Sequence, residues 1–275
     1  MIGNPHELIR DAQKRKAAVP AFNIDSIDMA MGVIEAGQWL DRGFIMQVTV
    51  ETLDIWGWEF FSEAITHLIS RAHVPIALLL DHAKRVDDIR RAIDLGYPAV
   101  MYDGSALPLT DNIATTREVV HYAREHGCFV EGEVGHVARD GEPAHWEHLT
   151  SVEEAQTYWE AAGVDALAVA VGSKHGHYRT PEDINVERVH EIFEVIQAPL
   201  VLHGGSGMPV ELFSQLIRRG IAKVNIGTEL RRAWWSGIDG AEHAKPREAL
   251  RAARAHVKTR SIEIMRTLSP APNQP

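Results

Sequence analysis

The sequence predicts an α/β protein built as a single (β/α)8 TIM barrel with a short N-terminal helix and extra C-terminal helices. Three observations predict it. Eight short apolar runs alternate with segments of helical periodicity, the pattern of parallel βαβ units. The chain has 275 residues, a length that suits one closed barrel. Polar, chemistry-bearing residues gather at the C-terminal ends of the runs, where a barrel keeps its catalytic groups. An open doubly wound sheet is the alternative, but no G-x-G-x-x-G follows the first run.

The elements follow in order. Pro5 to Lys16 reads as a short helix, and Val19 to Asn23 as the first strand. Ser26 to Trp39 is helical, with Ser26 as its N-cap. Phe44 to Val50 is the second strand, Trp58 to Ala72 a helix, and Val74 to Leu80 a third strand ending in Asp81-His82. Val86 to Leu95 is helical, its Asp87 and Asp88 suiting the positive end of a helix. Ala99 to Tyr102 is the fourth strand and leads to Asp103. Leu109 to His126 is a helix and Cys128 to Glu133 the fifth strand, with a polar loop to about Leu149. Val152 to Ala162 is helical, and Ala166 to Val171 is a strand running towards His175. Val186 to Ile196 is a helix, and the strand Pro199 to Leu202 ends at His203. Val210 to Arg219 is a helix, and Ala222 to Thr228 forms the eighth strand and its exit. Helices from Leu230 to about Leu268 close a domain spanning 1–268, and the proline-rich 269–275 reads as a frayed tail.

At 45% hydrophobic and 24% charged residues the composition is that of a globular protein that buries its own core. A net charge of −10 argues against nucleic acid or an anionic membrane as partner. The apolar runs fall far short of the ~20 residues that span a bilayer. Cys128 is the only cysteine, so no disulfide framework exists, and a cytoplasmic location is expected. The N-terminus lacks the basic-then-apolar pattern of a signal peptide.

His82, His175 and His203 occupy equivalent places at three strand ends. Three imidazoles converging on one mouth make a suitable set of Zn²⁺ ligands with a position left for substrate; the competing reading is three separate hydrogen-bonded histidines. Asp81 either orients a ligand or works as a general acid/base. Asp103 and Glu133 add carboxylates for a second cation or for orienting histidines, and Asp103 could instead cap a helix. Gly176, Gly204, Gly205 and Ser206, with Asn225, Ile226, Gly227 and Thr228, supply small residues and donors on adjoining loops, where barrels often bind phosphate.

Taken together, Ala21-Phe22-Asn23, Leu80-Asp81-His82, Met101-Tyr102-Asp103-Gly104-Ser105, Val130-Glu131-Gly132-Glu133-Val134-Gly135, Ala168 to Gly172 leading into His175-Gly176, Leu202 to Gly207 and Lys223 to Leu230 resemble the class II, metal-dependent ketose-bisphosphate aldolases. The match covers nearly the whole chain, and its compact length is more similar to the tagatose-bisphosphate branch than to the longer fructose-bisphosphate enzymes. The resemblance implies reversible aldol cleavage of a ketose (bis)phosphate to dihydroxyacetone phosphate and an aldehyde through a zinc-stabilised enediolate. It implies His82, His175 and His203 as zinc ligands. It implies Asp81 as the acid/base at the C4 hydroxyl, and Asp103 and Glu133 at a second divalent or monovalent cation. Asn23, Gly176, Gly204 to Ser206 and Asn225 to Thr228 then bind the substrate, and Arg247 the far phosphate. A sugar phosphate is the expected partner, and a homodimer or homotetramer the expected assembly.

Two other classes remain open at this point: a non-catalytic sugar-phosphate-binding barrel and a zinc hydrolase. The retained histidines and Asp81 favour the enzyme, and the donor-rich loops favour a phosphate. The chain departs from the family in the loop after the fifth strand, which lacks the usual glycine pair. There Glu142 is the nearest match to the mobile acid/base, and Asp140 a lesser candidate. Residues 52–58 replace the usual small residues with Trp56 and Trp58, which either narrow the aldehyde pocket or serve as core or interface anchors.

Overall fold

In the computed structural model, which describes residues 2–135, 149–173, 184–240 and 245–269, eight parallel strands close into a barrel in chain order. The strands are β1 (Val19–Asn23), β2 (Phe44–Thr49), β3 (Ile76–Ala83), β4 (Ala99–Tyr102), β5 (Phe129–Val134), β6 (Ala166–Val169), β7 (Leu200–Leu202) and β8 (Ile221–Ile226). Around them run α1 (Pro5–Lys14), α2 (Ile27–Leu40), α3 (Val50–Trp56), α4 (Trp58–Ser70), α5 (Val86–Asp94) and α6 (Leu109–Glu125). Then come α7 (Val152–Ala162), α8 (Val186–Ile196), α9 (Val210–Arg218), α10 (Thr228–Asp239) and α11 (Pro246–Thr267).

The strands read as continuous apolar runs because both their faces are buried. Alternation then sorts the side chains. Phe44, Met46 and Val48 face the helices, while Ile45 joins an inner cluster with Ala21, Ala77, Leu79, Ala99, Met101 and Phe129. The α1 helix closes the bottom of the barrel, adding Leu8, Ile9 and Ala12 to that inner cluster. It starts cleanly because Asn4 Oδ1 accepts the His6 N–H at 2.9 Å and Pro5 occupies the first turn.

Two local features differ from the expectation, and the C-terminal helices are as expected. Residues 50–56 form a seven-residue helix, capped by Thr49 Oγ1 and ended by Gly57 at φ +86°. Val50, Thr52, Ile55 and Trp56 are modest helix formers, and seven residues are too few to show a period. β3 runs on through Asp81 and His82 to Ala83. The C-terminal region is two helices, and the 22-residue α11 packs against α2 and α10. That packing is close: a Cβ on Gly237 would lie 2.5 Å from Ala253 Cα.

Candidate active site

The upper half of the barrel interior is polar. Strand alternation carries Gln47, Asp81, Asp103, Glu131, Glu133 and His203 inward above the apolar cluster, all of them buried. Two irregularities change the aim of side chains there. The β3–β4 register shifts between Leu80 and Ala83, and His82 has φ +49°. A β-branched or other L-residue at such an angle costs about 1–3 kcal/mol, and the bulge re-aims a side chain. Adjacent residues that would normally face opposite ways therefore both reach the mouth. The β7–β8 register also shifts, beside Val201.

His82 and His203 meet edge to face, with His82 Nε2 3.0 Å from His203 Nδ1. Glu133 Oε2 lies 3.9 Å from His203 Nδ1 and 3.6 Å from His82 Nδ1. These three side chains offer ligand atoms that all lie within 4.8 Å of one another. Asp103 stands behind His82, its Oδ2 3.1 Å from Nδ1, while its Oδ1 accepts from Ser105 Oγ at 2.6 Å. Below them Glu131 Oε1 lies 3.1 Å from His203 Nε2, and Lys223 Nζ pairs with Glu131 Oε2 at 2.8 Å. Asp81 accepts from Asn23 Nδ2 and from Gln47 Nε2, both at 2.6 Å.

The electrostatics follow from this packing. Burial by itself would raise the Asp81 pKa, but the charges of His82, His203 and Lys223 and the Asn23 hydrogen bond outweigh it, and the carboxyl is held below its ordinary range. Burial would lower the His82 pKa; Asp81, Asp103 and Glu133 together push it up to about 9. Burial wins at His203, whose pKa is lowered. At Asp103 and Glu131 burial works to raise the pKa. The His82 hydrogen bond in the first case and the Lys223 charge in the second reverse it, and both are lowered.

The donor set suits a divalent cation. Two imidazole nitrogens and a carboxylate oxygen are ordinary zinc ligands. Among the described residues, the four buried carboxylates Asp81, Asp103, Glu131 and Glu133 stand with Lys223 and the imidazoles of His82 and His203, the groups there able to carry positive charge, a local excess of negative charge that a cation would offset.

A cavity of about 120 Å³ opens beside this cluster. Asn23, Thr49, Asp81, His82, Gly204, Ser206, Asn225, Gly227, Thr228 and Arg231 line it. Gly204 turns at φ +71°, and Gly205 lies so close to β8 that a Cβ would fall 2.5 Å from Val224 Cγ1. Ile226 packs in the core cluster shared with the helices and is not among the residues lining the cavity. Arg247 lines a different groove, between α2 and α11, with Asp28 and Glu35. His175, Gly176, Asp140 and Glu142 lie outside the described residues. Trp56 and Trp58 do not line the cavity: Trp58 is buried against α4's neighbours, and Trp56 stacks on Phe61 with its indole N–H on Asp25 O at 3.0 Å.

Glu131, Lys223, Gln47 and Arg231 were not singled out by the sequence reading. The first three carried a usable signal. Glu131 and Glu133, Lys223 and Asn225, and Gln47 and Thr49 are polar residues two apart within apolar strands, which puts each pair on one face. Arg231 sits in the first turn of α10 and reaches back to the mouth, 3.7 Å from Asp25; a helix position gives no such signal.

The closed barrel gathers a buried carboxylate, a histidine–glutamate cluster and a donor-rich loop at one mouth, so an acid/base stands beside side chains able to hold a cation. The model of the class-II fructose-bisphosphate aldolase family matches residues 4–272, and the chain belongs to that family. It is an aldolase, a carbon–carbon lyase. Its fold is similar to the YdjI aldolase of Escherichia coli K12, with TM-score 0.88 and 29% identity over 98% of this chain and 97% of that one. A putative fructose-1,6-biphosphate aldolase from Coccidioides immitis superposes with TM-score 0.89 and 25% identity, covering 97% of this chain and 96% of its own. Fructose-bisphosphate aldolase from Campylobacter jejuni shares the fold at 20% identity and TM-score 0.82, over 95% and 93% of the two chains.

Proposed function

We propose that the enzyme cleaves a ketose phosphate reversibly to dihydroxyacetone phosphate and an aldehyde, with zinc held by His82, His203 and His175. Glu133 and Asp103 would orient those ligands or take a second cation. The observation that carries the reading is the position of Asp81: a buried carboxylate gripped by two amides, lining a cavity together with His82 and the glycine loop. A divalent ion bound there supplies Lewis acidity to the ketone oxygen.

This chain's residues would do the rest. Ser206, Gly204, Gly227 and Thr228 surround the N-terminal end of α10, where amides and the helix dipole favour a phosphate. Holding the phosphate fixes the reacting carbons near Asp81. In the cleavage direction Asp81 takes the proton of the C4 hydroxyl, the C3–C4 electron pair passes to the ketone half, and C4 becomes the aldehyde carbon. A proton then adds at C3, a step we assign to Glu142, with Asp140 as the lesser candidate. Arg231 carries positive charge at the open end of the cavity and is the described arginine placed to meet a far phosphate there, whereas Arg247 lies in the α2–α11 groove. The assembly is a homodimer or homotetramer and the location cytoplasmic on this reading. Exposed Trp39 and Trp235 offer apolar area for an interface, and among the described residues no helix is long and apolar enough to cross a membrane.

The test is direct. The purified enzyme, incubated with dihydroxyacetone phosphate and a panel of aldehydes, should yield a phosphorylated ketose. With dihydroxyacetone phosphate alone in D₂O it should exchange the C3 proton. Elemental analysis should find about one zinc per chain, and His203→Ala should lose both zinc and turnover. Neither product nor exchange from zinc-loaded enzyme would sink the substrate assignment. Full zinc occupancy in His203→Ala would sink the ligand set.

A further inference from the structure

The barrel interior holds an ion pair that the reaction itself does not use. Lys223 and Glu131 both have side-chain exposures of 0%, and they pair at 2.8 Å beneath His203. Burying two charges costs several kcal/mol per ion before their attraction is counted, and such a pair is weak evidence for stability. Its geometry suggests another use. Lys223 Nζ also donates to Asn225 Oδ1 at 2.7 Å, which fixes the Asn225 amide with Nδ2 towards His203. Among the described residues, His203 Nε2 then meets two groups of opposite demand. Glu131 Oε1 at 3.1 Å requires an N–H there, and Asn225 Nδ2 at 3.2 Å requires a lone pair.

We propose that Lys223 and Glu131 are positioning residues that lock His203 in the Nε2–H tautomer, so that its Nδ1 lone pair faces His82 and Glu133. A bond to an ionised acceptor is roughly twice as strong as a neutral one, so the carboxylate prevails over the amide. Lys223 Nζ, 2.8 Å from Glu131 Oε2, supplies the opposite charge that a carboxylate needs at that depth. It also donates to Glu131 Oε1 at 3.2 Å, the oxygen that faces His203 Nε2. The other tautomer would set a carboxylate oxygen against a ring lone pair in a dry interior. The inference rests on the reading that His203 is a metal ligand, since Nδ1 is the nitrogen that faces the His82–Glu133 cluster.

The tautomer can be read without metal. In the ¹⁵N-histidine-labelled, metal-stripped full chain, the ring signals absent from His203→Gln belong to His203. They should show a protonated Nε2 and a bare Nδ1. A protonated Nδ1 in the parent overturns the proposal. Glu131→Gln should shift that ring towards the other tautomer. It should weaken zinc binding about 10–100-fold and change the visible spectrum of the Co²⁺-loaded protein. Should Glu131→Gln fail to fold because Lys223 is left unpaired, the double variant Glu131→Gln/Lys223→Met removes both charges at similar volume. It should fold and show the same loss of tautomer control. Parent-like tautomer and zinc affinity in whichever variant folds would overturn the lock. Failure of the parent itself to bind zinc would sink the metal reading instead, and the ring signals would still decide the tautomer.

Discussion

The lower and upper halves of the barrel interior are made by the same strands on opposite principles. Below, Ala21, Ile45, Leu79, Met101, Phe129 and the α1 side chains Leu8 and Ile9 pack as one apolar cluster. Above, Asp81, Asp103, Glu131 and Glu133 crowd around His82, His203 and Lys223. The lower half gains free energy from apolar burial. The upper half must offset the desolvation of each charged group with a partner. The difference teaches where stability and chemistry are separately held, and it can be broken one half at a time.

The largest effect should come from the upper half. Asp81→Asn keeps the shape and loses the base, so cleavage should fall about 10²–10⁴-fold. The melting temperature should stay within a few degrees, because the change removes a buried charge rather than a packing contact. Exchange of the C3 proton of dihydroxyacetone phosphate should survive, since that step is assigned elsewhere. Loss of exchange in parallel with cleavage would show that Asp81 serves both steps.

The lower half should respond in the opposite way. Leu79→Ala removes a fully buried side chain from the inner cluster and should cost about 2–5 kcal/mol of stability. Denaturant unfolding measures it. Turnover per folded molecule should remain within about twofold of the parent. A fall in turnover as large as that of Asp81→Asn would mean that the apolar floor tunes the site above it, and the two halves would no longer be separable.

The sequence made the two halves partly legible. Apolar runs ending in Asp81-His82 and His203 gave the barrel and the mouth, because buried parallel strands must be apolar and their ends need not be. The cluster of His82 with His203 was readable as two equivalent strand ends. The bulge at Asp81-His82 was not, since a left-handed histidine leaves no mark in composition. Glu131 and Lys223 were hidden for another reason. Each belongs to a same-face polar pair inside an apolar strand, which marks the face, but the pairing of Glu131 with Lys223 joins residues 92 apart and no local pattern shows it. Arg247, carried over by resemblance, lies in the α2–α11 groove in this chain, and no local pattern specifies which cavity a helix N-terminus will face.

The smallest effect sharpens the comparison most. Cys128 precedes β5, is 4% exposed, and its Sγ approaches Tyr97 O at 3.3 Å. Burial, with a smaller contribution from Asp165, raises its thiol to about 12. Only about one part in 10⁴ is then thiolate at pH 8, so a bulky disulfide reagent must wait for the chain to open. If the lower half opens only as a whole, Leu79→Ala should speed labelling by the full factor its stability loss predicts, about 30-fold or more for 2 kcal/mol. Asp81→Asn should leave labelling within a few-fold of the parent. The same thiol adds a pH dependence of known sign. Its ordinary value is 9.0 and its folded value about 12, so between those limits the unfolded state gives up a proton that the folded state keeps. Stability should therefore fall as pH rises through that window, by at most about 1.4 kcal/mol per pH unit from this group. Cys128→Ala should lose that component of the slope and keep the rest. Labelling that ignores Leu79→Ala would mean that β5 and α6 part locally, and that the floor of the barrel is not one cooperative unit.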